Sequence, residues 1–258
     1  MKIYSILILL LFAIGGCKKT TTSANNQPVS TIATSVRIYQ PANHKFRLDS
    51  FVTDGSKRLI KYITYFVDSN YLPITPGIGE YDFNYLGIDS LPNSYAATNN
   101  SEEHILHFDN LRRIVLDSST LIQNTFYFAY SGSNIILYQQ LSIPNGHFID
   151  TLTFTNENMA ARRYWYVTPT YTQHSNFTIS YSSLVSPLSF PRSIGLLLFE
   201  ISGQFDYVSK NLFNLSTNDP NVTDEVVWTS DNKGRVVSGT ETLTTSSGAT
   251  TKLITYNY

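Results

Sequence analysis

The chain has 258 residues, with 18 basic and 19 acidic side chains and a formal net charge of −1. The basic residues are scattered, so there is no basic stripe to bind nucleic acid. With 18 Tyr and 15 Phe, and no Ala-rich or Glu/Lys-rich stretch, the composition favours strands over helices.

At the N-terminus, Lys2 precedes an apolar run from Tyr4 to Ile14, which passes into Gly15, Gly16 and Cys17. The run is about a dozen residues, short of the roughly 20 that cross a bilayer as a helix. The segment resembles a bacterial lipoprotein signal peptide with its lipobox. The resemblance implies cleavage after residue 16 and acylation of Cys17. It also implies anchoring in the bacterial cell envelope, at the outer membrane. Cys17 is the only cysteine, so an acylated chain has no disulfide, no cysteine–metal site and no cysteine nucleophile. Lys18 and Lys19 then lie beside anionic headgroups. Residues 18–34 are small and polar and read as a flexible tether, within a lead-in of 17–44. One folded domain is expected over 45–258.

Period-two alternation follows. Between Asn124 and Tyr130, Phe126, Phe128 and Tyr130 share one face, and Thr125, Tyr127 and Ala129 the other. Ser131-Gly132-Ser133 is a turn signal, and the chain resumes from Asn134 to Leu141, which makes a hairpin. His147 to Thr155 and Ala160 to Thr168 form another around Asn156-Glu157-Asn158. Glu225 to Thr229 and Arg235 to Thr242 form a third around 230–234, and Thr251 to Tyr258 is a last strand.

A corner recurs among these hairpins. Asp54 to Leu59, Asp109 to Ile114 and Asp231 to Val236 each read Asp, three turn residues, Arg, aliphatic. The Asp accepts hydrogen bonds from turn amides, and the residue before the Arg takes a left-handed conformation. Gly234 does so most easily, where Lys57 and Arg112 stand in the other copies. The corners resemble the tyrosine–aspartate repeats of bacterial cell-surface proteins, Phe108-Asp109 being the nearest pair.

One segment breaks the alternation. Within 189–208, Ile194, Leu197, Leu198, Ile201 and Phe205 recur at helical spacing. Ser189 or Ser193 can cap, Pro191 suits the first turn, and Gly195 and Gly203 predict a short or broken helix. Its stripe, Leu197, Leu198, Ile201 and Phe205, is expected to pack on the inner face of the sheet as a plug or a lid.

Lipobox, tether, aromatic hairpins, Asp–Arg corners and a late helical insert ending at Ser209 to Leu212 together resemble an uncharacterised family of envelope lipoproteins, a domain of unknown function with a porin-like fold. The resemblance covers about 45–258 and implies an all-β antiparallel meander curled into an open or closed barrel, with one helical insert. It carries no catalytic residues. A membrane-crossing barrel is disfavoured by the charges of Arg47 and Asp49, Arg112 and Arg113, and Arg162 and Arg163, read as spread over both strand faces.

Catalytic chemistry is thin, and neither metal nor cofactor is implied. His104 and His107, near Glu102, Glu103 and Asp109, read as a solvated loop entering a strand. In a strand the two histidines point to opposite faces and cannot share a metal. His44, His147 and His174 sit in turn-like or polar surroundings. Asp89-Ser90-Leu91 and Asp150-Thr151-Leu152 resemble an O-glycosylation signal of some envelope bacteria. Aromatics are the remaining clue: Tyr164 and Tyr166 on one strand face, Trp165 on the other, and Trp228 before the third corner. Such rings stack on sugars or line apolar pockets. The functional expectation is a non-enzymatic envelope lipoprotein that binds a glycan or an envelope protein. The alternative is a carrier of an apolar, lipid-like ligand inside the curved sheet.

Overall fold

The computed structural model describes residues 33–40, 45–67, 79–98, 102–120, 125–141, 143, 145–188, 190–202, 204, 207–218 and 222–258. Cys17, the tether up to residue 32, His44, Ser189 and Phe205 lie outside the described residues. The alternating segments pair, each with its sequence neighbours, as β1 (Ser35–Gln40), β2 (Lys45–Thr53), β3 (Leu59–Val67), β4 (Gly79–Asn84), β5 (Ser94–Ala97), β6 (Glu102–Phe108), β7 (Ile114–Ser119), β8 (Phe126–Ser131), β9 (Asn134–Gln140), β10 (His147–Thr155), β11 (Asn158–Val167), β12 (Thr172–Val185), β13 (Asn211–Asn218), β14 (Val222–Ser230), β15 (Val236–Thr245) and β16 (Gly248–Asn257). All pairs are antiparallel, and β1 closes the barrel on β16 with Ser35 opposite Asn257 and Ile38 opposite Ile254. Closure leaves no free sheet edge. The helix α1 (Arg192–Ser202) is inserted between β12 and β13.

The sheet starts earlier than the expected residue 45. Val36 and Ile38 face the core and alternate with Arg37 and Tyr39, so the supposed lead-in supplies the closing strand. Even Thr34 is engaged: its N–H donates to Asn257 O at 2.7 Å, and Ala33 N–H donates to Pro187 O at 2.9 Å.

The three Asp corners share one design. Asp54, Asp109 and Asp231 each accept through Oδ1 from the backbone amides two and four residues on, at 2.9 Å throughout. Arg58, Arg113 and Arg235 donate back through Nε at 2.7–2.8 Å. Lys57, Arg112 and Gly234 have φ of 63°, 61° and 77°. Each Arg also lies over a tyrosine ring: Tyr85 at 4.7 Å, Tyr130 at 4.3 Å and Tyr258 at 4.7 Å. Those tyrosines donate at 2.8 Å to the first carbonyl of the neighbouring strand, at Leu59, Ile114 and Val236. Burial pushes the Tyr85 and Tyr130 hydroxyls up to about 12, so they remain donors. Tyr181 to Met159 O (2.8 Å) and Trp228 Nε1 to Phe213 O (2.7 Å) repeat the idea without the Asp–Arg pair. In an up-and-down barrel all these corners fall at one end, which is also where the chain leaves β12 for the helix.

The helix runs inside the barrel. Ser193 Oγ donates to Arg112 O (3.1 Å) on one side, and Arg47 Nη1 to Ser202 O (3.5 Å) on another. Arg192 lies over Phe154 (4.5 Å), and Arg162 over Phe199 (4.9 Å). Contacts with β2, β10, β11 and the β6–β7 corner require it to sit in the lumen. Leu196, Leu197 and Leu198 are fully buried, and Ile201 is half-buried against the same core. Ser193 is therefore spent on the Arg112 carbonyl and is not the cap. Gly195 is required by packing: a Cβ there would lie 2.2 Å from Tyr207 O, where the returning chain crosses the helix.

Candidate functional site

The outer and inner walls of the same strands present two different sites. Register places one residue of each strand in a row around the outside of β8–β12. Tyr127 is opposite Tyr138, Tyr138 opposite Ile149, Ile149 opposite Trp165, and Trp165 opposite His174. Tyr127 and Trp165 are 50% and 46% exposed, so this is open surface and not core. Ring centroids are 6.2 Å apart for Tyr127–Tyr138, 6.1 Å for Tyr138–His147 and 5.3 Å for Trp165–His174. Tyr138 Oη donates to Gln140 Oε1 at 2.7 Å, which holds the phenol in the row. With strands ~4.8 Å apart, five strands give a ridge about 19 Å long.

Inside, polar groups ring the level reached by the end of α1. Arg47 Nε donates to Asp49 Oδ1 at 3.0 Å, and Tyr207 Oη donates to the other Asp49 oxygen. Tyr95 Oη donates to Asp117 Oδ2 at 2.7 Å, and His104 Nδ1 lies 2.7 Å from Asp117 Oδ1. His104 Nε2 is 3.3 Å from Glu102 Oε1, and its ring stacks on Tyr95 at 4.3 Å. Arg162 grips Asp150 Oδ2 through Nε and Nη2, both at 2.8 Å. Burial nevertheless pushes Asp150 up to about 6, against the pull of Arg162. A cavity of about 250 Å³ lies where α1 ends, lined by Phe126, Phe148, Asp150, Arg162, Tyr166 and Glu200 among others.

The aromatics singled out in the sequence separate among these places. Trp165 belongs to the outer row and Tyr166 to the cavity wall. Tyr164 faces inward, between Phe148 (6.1 Å) and Phe177 (6.4 Å). Trp228 also faces inward, 5.9 Å from Tyr256 and packed where Gly239 leaves no room for a Cβ. Leu197, Leu198 and Ile201 pack within the barrel; Phe205 lies outside the described residues.

Several expectations need correction. His104 is a buried strand residue and not part of a solvated loop, although His107 does point to the opposite, exposed face. Its partners Asp117 and Tyr95 come from neighbouring strands, which no local pattern reveals. His147 and His174 are in strands, stacked on Tyr138 and Trp165. Arg47 and Asp49 both face inward and pair, so they say nothing of the outer wall. Arg112 and Arg113 lie at a corner, and of the remaining pair only Arg163 faces out.

The barrel is similar to a crystallised porin-like protein. That protein, from Bacteroides uniformis ATCC 8492, matches with a TM-score of 0.58 and 12% identity, over 87% of this chain and 97% of the other. A second porin-like protein, from Bacteroides vulgatus ATCC 8482, matches with a TM-score of 0.46 and 8% identity, over 88% and 98%. No family model and no curated protein matches the chain. At this identity the likeness establishes the fold alone.

Proposed function

We propose that the protein is a lipid-anchored barrel of the bacterial cell envelope that stands in water and binds an extended glycan along its outer aromatic row. The row of Tyr127, Tyr138, Ile149, Trp165 and His174 is the observation that carries this reading. Ring faces stack on sugars, and the strand spacing is close to the length of one sugar in an extended chain. Envelope placement rests on the lipobox ending at Cys17, and the porin-like fold of the neighbours is compatible with it.

The outer wall favours water over lipid. Lys61, Glu80 and Asp82 face outward as a cluster on β3 and β4, with Lys61 Nζ 3.1 Å from Asp82 Oδ1. Glu103, Arg163 and Glu225 are exposed on other strands. A lysine or arginine facing lipid at the midplane costs about 2–4 kcal/mol and a carboxylate less, so Lys61, Arg163 and the exposed acids together oppose insertion. Acyl chains on Cys17 then supply the membrane attachment.

The reading as a carrier of a lipid-like ligand is weaker. The helix occupies the lumen, and the cavities beside it among the described residues are about 190–250 Å³ each, the one of about 250 Å³ with Asp150, Arg162 and Glu200 on its wall, smaller than the roughly 300–1,000 Å³ of ordinary ligand pockets. The experiment has two arms. Cys17→Ser should move the protein from the membrane to the soluble fraction without unfolding it; retention after a high-salt wash would refute the anchor. The released protein should be retarded in affinity electrophoresis through soluble polysaccharides, and Trp165→Ala should abolish the retardation.

A further inference from the structure

Besides Asp224 Oδ1 on β14, two buried carboxylate oxygens have no partner among the described residues: Glu200 Oε2 and Asp150 Oδ1. Both residues line the cavity of about 250 Å³ beyond the end of α1. Buried polar atoms are nearly always satisfied, and each one left bare costs about 1–3 kcal/mol. Other carboxylates at the same level are engaged: Asp49 by Arg47 and Tyr207, Asp117 by Tyr95 and His104. Most of the rest of the wall is aromatic, with Phe126, Phe148, Tyr166 and Phe199 beside Leu137 and Gln139. Phe148 and Gln139 are register partners one residue inside the ends of their strands, so the cavity reaches the rim opposite the Asp corners.

We propose that this cavity is a binding site for a small organic cation, a primary amine whose ammonium group is held by the carboxyl groups of Glu200 and Asp150. The charge count favours a cation. Arg162 is already held by Asp150 Oδ2, and those two charges cancel. Among the described residues no basic side chain pairs with Glu200, and Asp117 near it adds to the negative potential. Ring faces around an ammonium add cation–π attraction. The cavity is too small for a polymer, so the occupant is a small molecule, and the site is separate from the outer row.

Glu200 also makes binding visible through protons. Burial, with the Asp117 charge second, holds its carboxyl well above the usual carboxylate range. The groups around it are Tyr81 and Tyr95 on β4 and β5, Glu102 and His104 on β6, Asp117 on β7, Asp150 on β10 and Arg162 on β11. An ammonium brought against Glu200 favours its ionised form, so amine binding releases a proton.

The test is titration calorimetry of the mature chain with 1,4-diaminobutane and with glucosamine, against 1,4-butanediol and glucose as uncharged counterparts. At least one amine should bind at millimolar concentration while neither counterpart does. Glu200→Gln should weaken that binding by about tenfold or more, the loss of a charged hydrogen bond, with the melting temperature maintained or raised. Trp165→Ala should leave amine binding unchanged, which separates this site from the glycan row. If Glu200→Gln does not fold, the wild-type chain still decides: titration in two buffers of different ionisation heat must show a released proton. Binding of the uncharged counterparts as tightly as the amines, unchanged binding by Glu200→Gln, absence of proton release, or failure of both amines to bind overturns the proposal.

Discussion

Leu198→Ala is the perturbation that separates a plug from a lid. Leu198 is fully buried on the lumenal helix, flanked by Leu197 and Phe199, which are 0% and 2% exposed. Barrel walls tied strand to strand cannot collapse onto the space a shortened side chain leaves. The cost should therefore lie well inside the large-to-small range, at about 3 kcal/mol. For a domain of this size that is a fall of roughly 6–12 °C in melting temperature. Ile201 is half-buried at the cavity end, so Ile201→Ala should cost about half as much. Urea unfolding followed by tryptophan fluorescence reads both, with the slope unchanged between variants. A loss below about 1 kcal/mol for Leu198→Ala would show that the helix leaves the lumen at little cost. The packed-plug reasoning would then be wrong.

Three other outcomes follow from the geometry. Tyr130→Phe keeps the ring under Arg113 but removes the bond to Ile114 O, and should cost about 1 kcal/mol in urea unfolding; no loss would mean that the corner hydroxyls do not tie strands together. Deleting residues 18–30 should leave the melting temperature unchanged, whereas deletion through Thr34 should lower it, because Ala33 and Thr34 bond to Pro187 and Asn257. Stability should fall as pH rises from about 4 toward 7. Asp150 is raised to about 6, so the folded state holds its proton longer than the unfolded state, and its contribution is present below the unfolded value and lost through pH 6. Asp224, raised to about 7 by burial and Glu241, acts in the same direction. Asp54, Asp109 and Asp231 are held low, first by hydrogen bonds from their Arg partners, and reverse the trend in stronger acid. Melting curves from pH 4.5 to 8 test this, and Asp150→Asn should flatten the slope.

Local features were legible before the structure, and features that depend on pairing were not. Alternation at 124–141 assigned Phe126, Phe128 and Tyr130 to one face and Tyr127 to the other, as β8 has them. Asp, turn and Arg lie within five residues, so all three corners could be read directly. Their tyrosines could not, because Tyr85, Tyr130 and Tyr258 stand one strand further on, at varying distances along the chain. The outer row has the same character. Trp165 was conspicuous, but Tyr138 joins it only through the register of β9, β10 and β11. Glu200 was hidden for another reason. It lies between Phe199 and Ile201 on a short apolar helix, where a lone acid reads as the solvent side, and only a lumenal helix has no solvent side.

The most direct measurement is the fluorescence of Trp165 during titration with soluble polysaccharides. The chain has two tryptophans, and Trp228 is packed inside against Tyr256. Trp228→Phe therefore leaves Trp165 as the only reporter, in the middle of the outer row. A glycan that stacks on the row should shift and saturate the Trp165 signal, and adding Tyr127→Ala and Tyr138→Ala should weaken that glycan's binding while the melting temperature stays near that of the parent. Saturable binding that leaves Trp165 unchanged, or that survives both tyrosine substitutions at full affinity, would contradict a glycan site on the outer wall.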